Sequence, residues 1–140
     1  MNLKEERTLG KVAQEGGISE TILVVDDEDM LRRLARKILE QQGYAVLEAG
    51  NAGEAQRVCQ ETAGPIALLL IDLVLPKING RALANRLIAV HPEAKVLYMS
   101  GHRDFAVGVD AVLEPDANYL PKPFTAETLH QAVREVLRCG

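Results

Sequence analysis

Acidic side chains follow two of the apolar segments that the sequence predicts to be buried strands. Asp26 and Asp27 come directly after residues 22–25, and Asp72 comes directly after residues 66–71. In open α/β sheets, ligands bind beyond the carboxyl ends of the strands, so the three carboxylates converge if these strands are neighbours. Clustered carboxylates repel one another unless a cation neutralises them, and Mg²⁺ prefers such oxygen ligands. Alternatively, each aspartate only caps the loop or helix that follows it.

Two further side chains, Ser100 and Lys122, follow the predicted fourth and fifth strands. Ser100 offers a hydroxyl group to an anion, and Lys122 offers an ammonium group. A carboxylate, a bound Mg²⁺, a hydroxyl and a lysine are together the groups that phosphoryl transfer to an aspartate needs. The carboxylate is the nucleophile, and the metal and the lysine stabilise charge on the phosphoryl oxygens. The sequence therefore predicts a phosphoryl-transfer site.

The elements that would position these side chains alternate between strand and helix. Apolar residues recur at helical spacing between the predicted strands and after the last one, and Gly43, Asn51 and Thr125 are expected to cap helices. The predicted strands cover residues 22–25, 44–48, 66–71, 95–99 and 118–120. This alternation predicts βαβ units and a mainly parallel sheet.

Two segments do not follow this pattern. Residues 1–20 combine many charges with only scattered apolar positions, so we expect a flexible leader or linker there and a folded domain over residues 21–140. Residues 101–117 lack a sustained apolar period, and we expect at most a short helix near residues 103–109.

Composition excludes several classes of protein. The chain has 140 residues, which suits one domain, and a net charge of −4, which disfavours direct binding to nucleic acid. No apolar stretch reaches the roughly 18 residues of a membrane span, and residues 1–10 are too polar for a signal peptide. The two cysteines, Cys59 and Cys139, lack metal-ligand spacing. We therefore expect a cytoplasmic protein that does not enter a membrane.

Four motifs occur in a specific order: Val24-Val25-Asp26-Asp27, Ile71-Asp72 with Pro76 and Gly80 after it, Ser100-Gly101, and Lys122-Pro123-Phe124. In type, order and separation they resemble the receiver domain of bacterial two-component response regulators. The resemblance implies a doubly wound, flavodoxin-like α/β fold with a five-stranded parallel sheet of order 2-1-3-4-5. Residues 101–117 further imply a shortened fourth helix between the fourth and fifth strands.

The resemblance also implies roles for the residues of the site. Asp72 resembles the phosphoacceptor, and Lys122 the lysine that pairs with the phosphoryl group. Asp26, Asp27, Asp72 and the backbone carbonyl of Val74 resemble the ligands of Mg²⁺.

A switch is implied by the same resemblance. Ser100 matches the hydroxyl residue that moves toward the phosphoryl group, and Tyr119 matches the aromatic residue that rotates in response. The Lys122–Pro123 peptide is expected to be cis. Gly101 has no side chain and leaves the mouth of the pocket open to the imidazole of a donor.

The implied partner is a sensor histidine kinase or a histidine phosphotransfer domain, with an unknown downstream target. Catalysis is expected only of the domain's own phosphorylation and dephosphorylation. A free-standing regulator and the C-terminal receiver of a hybrid sensor histidine kinase both fit the motifs. The exposed face of the first helix, around Arg32, Arg33 and Arg36, is expected to select the kinase.

Two alternatives from other classes remain. One is a Mg²⁺-dependent phosphatase or phosphotransferase that forms an aspartyl-phosphate intermediate; such enzymes have a second aspartate where this chain has Val74. The other is an interaction module that does not depend on phosphate. The presence of Asp26, Asp27, Asp72, Ser100 and Lys122 disfavours it.

Overall fold

A sheet of five parallel strands forms the centre of the fold. The structure is a computed structural model that describes residues 20–101 and 118–138. Its strands are β1 (Thr21–Val25), β2 (Ala45–Ala49), β3 (Leu68–Asp72), β4 (Lys95–Ser100) and β5 (Tyr119–Pro121). They lie in the order β2-β1-β3-β4-β5, and each neighbouring pair is parallel. This confirms the predicted sheet and its order.

Helices cover both faces of the sheet. The described helices are α1 (Asp29–Gln41), α2 (Ala52–Glu61), α3 (Gly80–Val90) and α4 (Ala126–Arg138). Apolar residues of α1 and α4 pack with Ile22 and Val24 on one face, whereas residues of α2 and α3 pack with Leu23 and Val25 on the other. Because successive strand residues point to opposite faces, the four apolar, buried residues that end β1 fit a strand that is covered on both sides. The doubly wound architecture is confirmed.

The predicted caps end or begin the helices as expected. Gly43, just beyond α1, has a φ angle of +98°, a backbone conformation that glycine adopts at little cost. The side chain of Asn51 accepts a hydrogen bond from the N–H of Glu54 at the start of α2. Thr125 and Thr128 exchange side-chain to backbone hydrogen bonds at the start of α4. The strand boundaries differ from the predicted ones by one or two residues. The largest shift is at the start of β3, which begins at Leu68 and not at Ile66, because the N–H of Ile66 donates to the side chain of Glu93.

The register of the sheet brings the ends of its strands to one edge. Val25 lies beside Ile71, Asp72 beside Met99, and Ser100 beside Pro121. The residues that directly follow β1 and those that end β3, β4 and β5 therefore meet at the carboxyl edge of the sheet.

Several expectations concern residues outside the described ranges. The leader predicted over residues 1–20 lies there except for Glu20, and so does the shortened fourth helix, which falls within residues 102–117. Among the helices of the described residues, none has both the length and the apolar character needed to cross a lipid bilayer.

Candidate functional site

Three aspartates converge at the carboxyl edge of the sheet. Asp26 directly follows β1, and Asp72 is the last residue of the neighbouring strand β3. One carboxylate oxygen from each of Asp26, Asp27 and Asp72 lies within 4.8 Å of the other two. Asp26 and Asp72 are buried, whereas Asp27 is exposed. The adjacency of β1 and β3 therefore produces the carboxylate cluster that the sequence pattern predicted.

The ammonium group of Lys122 lies among these carboxylates. Its Nζ atom donates to Oδ2 of Asp72 at 2.9 Å, and it lies 3.2 Å from Oδ2 of Asp26 and 3.5 Å from Oε1 of Glu28. The Lys122 backbone N–H donates to the carbonyl of Ser100 at 2.6 Å. The Lys122–Pro123 peptide is cis, as expected. The end of β5 is thus held against the end of β4, and the lysine side chain reaches across to β3 and β1.

Burial and neighbouring charges set the protonation of the two central groups. Burial raises the pKa of Asp72 to about 6, against the opposing effect of the Lys122 ammonium and the Val74 N–H. That N–H donates to Oδ1 of Asp72 at 3.0 Å. Burial lowers the pKa of Lys122, but the carboxylates of Asp72 and Asp26 outweigh this effect and raise it above its ordinary value. A further cation in the site would favour the ionised form of Asp72.

Gly80 allows the loop after β3 to fold back on its own strand. The N–H of Gly80 donates to the carbonyl of Leu73 at 2.8 Å, and Val74 forms an antiparallel bridge with Asn79. A Cβ atom at position 80 would collide with the backbone carbonyl of Asp72 and lie 3.0 Å from Cα of Leu73. The close approach therefore requires glycine. It fixes the backbone on which Asp72 and Val74 sit.

The residues expected to form the switch lie on β4 and β5. Ser100 is the last residue of β4, one strand away from Asp72, and Gly101 follows it beside the Lys122 side chain. The ring of Tyr119 stacks on the ring of Tyr98, with centroids 5.7 Å apart and an interplanar angle of 28°. The structure thus places Ser100 and Gly101 at the carboxyl edge and Tyr119 in an aromatic pair beside it.

The carboxylate cluster fits a Mg²⁺ ion. Its donors are oxygen atoms, which suit a hard cation. Oδ2 of Asp26 is fully buried, and among the described residues it receives no hydrogen bond of acceptable geometry, although Lys122 lies nearby. A buried carboxylate oxygen without such a bond is a group that a metal ion would satisfy.

A family model described as the response regulator receiver domain matches residues 22–134. The chain belongs to the response regulator receiver family. Receiver domains act in two-component signalling, and the family binds Mg²⁺ in an acidic pocket. This chain has a cluster of three aspartates, Asp26, Asp27 and Asp72. Receiver domains interact with histidine kinases or phosphotransfer proteins. They are generally not true enzymes.

Individual receiver proteins resemble this chain over most of its length. The response regulator receiver protein CpdR of Brucella abortus is 34% identical over 116 residues, which are 83% of this chain and 95% of CpdR. The sensor kinase CckA of Brucella abortus is 32% identical over 133 residues, which are 95% of this chain and 14% of the kinase. This receiver chain thus spans a small part of one relative and nearly all of the other.

Solved receiver structures share the fold. The receiver domain from the hybrid histidine kinase CckA has a TM-score of 0.69 and 33% identity, and the match covers 84% of this chain and 98% of that domain. A response regulator receiver domain protein from Clostridium thermocellum has a TM-score of 0.72 and 29% identity, with 86% and 95% covered.

Arg32 lies elsewhere than the sequence pattern suggested. It was expected on the exposed face of α1 with Arg33 and Arg36, but its side chain is only 12% exposed. It forms ion pairs with Asp29 and Glu48 at 2.9 Å each. The expectation that Arg32 lies on the exposed face of α1 is therefore wrong, whereas Arg33 and Arg36 are exposed and their role in selecting a kinase stays a prediction.

His91 directly follows the last residue of α3. It is buried, and it connects α3 with the carboxyl end of α2: its Nδ1 atom lies 2.8 Å from Oε2 of Glu93 and its Nε2 atom 2.8 Å from the carbonyl of Cys59. The nearby Glu93 is the one feature of the sequence that indicates a partner for the His91 ring. The contact with Cys59 depends on how α2 and α3 pack and is not encoded locally. His91 thus holds α2 and α3 together, and its partners Glu93 and Cys59 do not belong to the carboxylate cluster.

Proposed function

We propose that this receiver domain accepts a phosphoryl group on Asp72 from a phosphohistidine donor and changes its surface in response. The observation that carries the proposal is the convergence of Asp26, Asp27 and Asp72 within 4.8 Å, with the Lys122 ammonium 2.9 Å from Asp72. These are the nucleophile, the metal ligands and the cation that phosphoryl transfer to a carboxylate needs.

The ligands of Mg²⁺ in this proposal are Asp26, Asp27, Asp72 and the backbone carbonyl of Val74. When bound, the ion would neutralise the clustered carboxylates and stabilise the negative charge of the phosphoryl oxygens. The turn closed by Gly80 supports the fourth assignment, because it holds Val74 beside Asp72.

In the transfer step, a carboxylate oxygen of Asp72 attacks the phosphorus atom. The new P–O bond forms as the P–N bond of the donor breaks, and the leaving imidazole retains the electron pair and takes up a proton. The hydrogen bond from Lys122 to Asp72 places the ammonium group beside the attacking carboxylate, where it can bind an equatorial oxygen of the phosphoryl group. Gly101 leaves space beside Lys122 for the donor ring. Hydrolysis of the aspartyl phosphate, assisted by the same residues, returns the domain to its starting state.

The switch follows from the new charge on Asp72. A phosphoryl group adds about −1.5 to −2 charges and three acceptor oxygens. Ser100 and Lys122 then gain a strong partner, and movement of Ser100 makes room for Tyr119 to leave its stack on Tyr98. Because packed interiors favour discrete arrangements, this change reaches the surface formed by β5 and α4.

The proposal includes a partner, a context and a location. The phosphodonor is a sensor histidine kinase or a histidine phosphotransfer domain.

The match to the sensor kinase CckA covers more residues than lie between Thr21 and Gly140, so it extends into the segment before the folded domain. This extension supports a hybrid kinase as the parent protein, with residues 1–20 as its linker and residues 21–140 as its receiver. The buried free thiol of Cys59 supports a cytoplasmic location.

The test is a two-dimensional NMR titration with MgCl₂ and beryllofluoride, a mimic of the phosphoryl group. We expect Mg²⁺-dependent shifts of the amide signals of Ser100, Tyr119 and Lys122 in the wild-type protein and none in Asp72→Asn. Glu61→Gln is the matched control, because it neutralises an exposed carboxylate at the end of α2, away from the carboxyl edge of the sheet, and should respond like the wild type. A wild-type spectrum that does not change, or an equal response in Asp72→Asn, would contradict the proposal.

A further inference from the structure

The guanidinium group of Arg32 lies beneath the loop that carries the acidic pair. Its NH1 atom donates to the backbone carbonyl of Asp26 at 2.8 Å, and its Nε atom donates to Oε1 of Glu48 at 2.9 Å. The side chain is 12% exposed, and that of Glu48 is 19% exposed. Arg32 therefore connects a strand residue of β2 with the backbone of the first aspartate after β1.

The backbone of Asp26 is held from two sides. Its N–H donates to the carbonyl of Ala49 at 3.2 Å, and its carbonyl accepts from Arg32. Its side chain is fixed as well, because Oδ1 accepts from the N–H of Glu28 at 2.9 Å. With both backbone groups and one carboxylate oxygen bonded, the other oxygen is directed at Lys122 in the centre of the pocket.

The contact depends on the shape of arginine. The planar guanidinium presents several donors in a fixed arrangement, so it can bond a carbonyl and a carboxylate at the same time, whereas an ammonium group is a point charge. The chain leaves room for it at Gly50, where a Cβ atom would lie 3.2 Å from NH1 of Arg32. Gly50 is itself held by a hydrogen bond of 2.7 Å from its N–H to Glu54.

We propose that Arg32, held by Glu48, is a positioning residue for the Mg²⁺ site: it fixes the backbone of Asp26 so that the carboxylates of Asp26 and Asp27 meet Asp72 at the metal. This inference rests on the proposed function. Partners that orient the ligands of a metal commonly affect its affinity by about 10–100-fold.

Arg36 provides a matched control within the same network. It donates to Oε2 of Glu48 at 2.8 Å and to Glu40 at 2.9 Å. Its side chain is 46% exposed, and among the described residues its hydrogen-bond partners are Glu40 and Glu48 and do not include Asp26. Arg36→Gln therefore removes an arginine from Glu48 while leaving the hydrogen bond between Arg32 and the Asp26 carbonyl intact.

The experiment is isothermal titration calorimetry with MgCl₂ on the wild-type protein, Arg32→Gln, Arg32→Lys, Arg36→Gln and Asp27→Asn. Circular dichroism first establishes that each variant is folded at the temperature used. We expect the Kd for Mg²⁺ to rise about tenfold in Arg32→Gln, to rise less in Arg32→Lys, and to stay at the wild-type value in Arg36→Gln. A role limited to stabilising the fold would leave the Kd of the folded variants unchanged.

The outcomes separate the two proposals. If Arg32→Gln does not fold, Arg32→Lys decides the question, because it keeps the charge but cannot span both acceptors. Folded Arg32 variants that bind Mg²⁺ as tightly as the wild type, while Asp27→Asn binds it more weakly, would overturn the positioning role alone. A wild-type protein that binds no Mg²⁺, or an Asp27→Asn variant that binds it as tightly as the wild type, would overturn the metal site of the proposed function as well.

Discussion

The Nζ atom of Lys122 lies 2.9 Å from Oδ2 of Asp72, a carboxylate that is almost completely buried. Removal of one partner from a buried ion pair leaves the other charge without compensation. We expect Lys122→Met to lower the free energy of unfolding by about 3 kcal/mol at neutral pH without Mg²⁺. Urea denaturation monitored by circular dichroism measures this change.

Addition of MgCl₂ should recover much of that loss. The ion then neutralises the carboxylates without repulsion from the ammonium group, so Mg²⁺ should stabilise Lys122→Met more than it stabilises the wild type. If Mg²⁺ stabilised the two proteins equally, the Lys122 ammonium would not be offsetting the negative charge of the carboxylates that bind the metal.

The turn that carries Asp72 depends on Gly80. A methyl group there collides with the Asp72 carbonyl, and forced packing of this kind costs about 1–3 kcal/mol. We expect Gly80→Ala to lower the free energy of unfolding by that amount in urea denaturation. Gly53→Ala is the matched control in the first turn of α2, where the one atom of the described residues near the added Cβ is Oδ1 of Asn51 at 3.4 Å.

The control should behave in the opposite way. Alanine restricts the unfolded chain more than glycine does, so Gly53→Ala should raise the free energy of unfolding by about 0.4–1 kcal/mol. Equal effects of the two substitutions would contradict the steric explanation for Gly80.

His91 should make stability depend on pH. Both of its ring nitrogens face acceptors, and only the protonated ring can donate to both. Burial lowers the pKa of His91, but its hydrogen bonds to Glu93 and to the Cys59 carbonyl outweigh this effect, so the pKa lies above the ordinary value of 6.5. Because the folded state binds the proton more tightly, this stabilisation is complete below about pH 6.5 and is lost as the pH rises through the folded-state pKa.

The measurement is urea denaturation of the wild type and His91→Gln between about pH 6 and pH 9. We expect the wild-type advantage to shrink as the pH rises. Glu93→Gln should weaken the same pH dependence, because it removes the carboxylate that faces the ring. A difference between wild type and His91→Gln that does not change with pH would contradict the assignment.

The stack of Tyr119 on Tyr98 should respond to the state of the pocket. Aromatic protons of the two rings should give nuclear Overhauser effects in the free protein, because their centroids are 5.7 Å apart. With MgCl₂ and beryllofluoride we expect these effects to weaken as Tyr119 leaves the stack, while the signals of Tyr44, the third tyrosine, stay unchanged. Persistence of the contact in the beryllofluoride-bound protein would contradict the role of Tyr119 as the switch.

Much of the fold and the carboxylate cluster was predictable because local patterns encode them. Apolar runs flanked by acidic residues and helical periodicity locate β1, β3 and the helices within a few residues, and Asn51 and Thr125 mark helix starts. Periodicity does not encode which strands are neighbours. The strand order came from the resemblance to receiver domains, and the meeting of Asp26 with Asp72 follows from that order.

Arg32, His91 and Gly80 could not be understood from the sequence pattern because their roles depend on tertiary contacts. Helical spacing placed Arg32 near the surface of α1, but a long side chain can turn inward to reach β2. His91 ends a helix in sequence, yet its partner Cys59 lies on another helix. Gly80 was recognised only as part of a motif; the collision that requires glycine depends on the path of the chain after β3.

The most direct test of the central claim is the mass of the intact protein after incubation with acetyl phosphate. With MgCl₂, we expect the wild type to gain one phosphoryl group, and peptide mapping should place it on Asp72. With EDTA in place of MgCl₂, and in Asp72→Asn with MgCl₂, we expect no gain. A phosphoryl group that forms equally well without Mg²⁺, or that appears equally on Asp72→Asn, would contradict the account of Asp72 as the Mg²⁺-dependent phosphoacceptor.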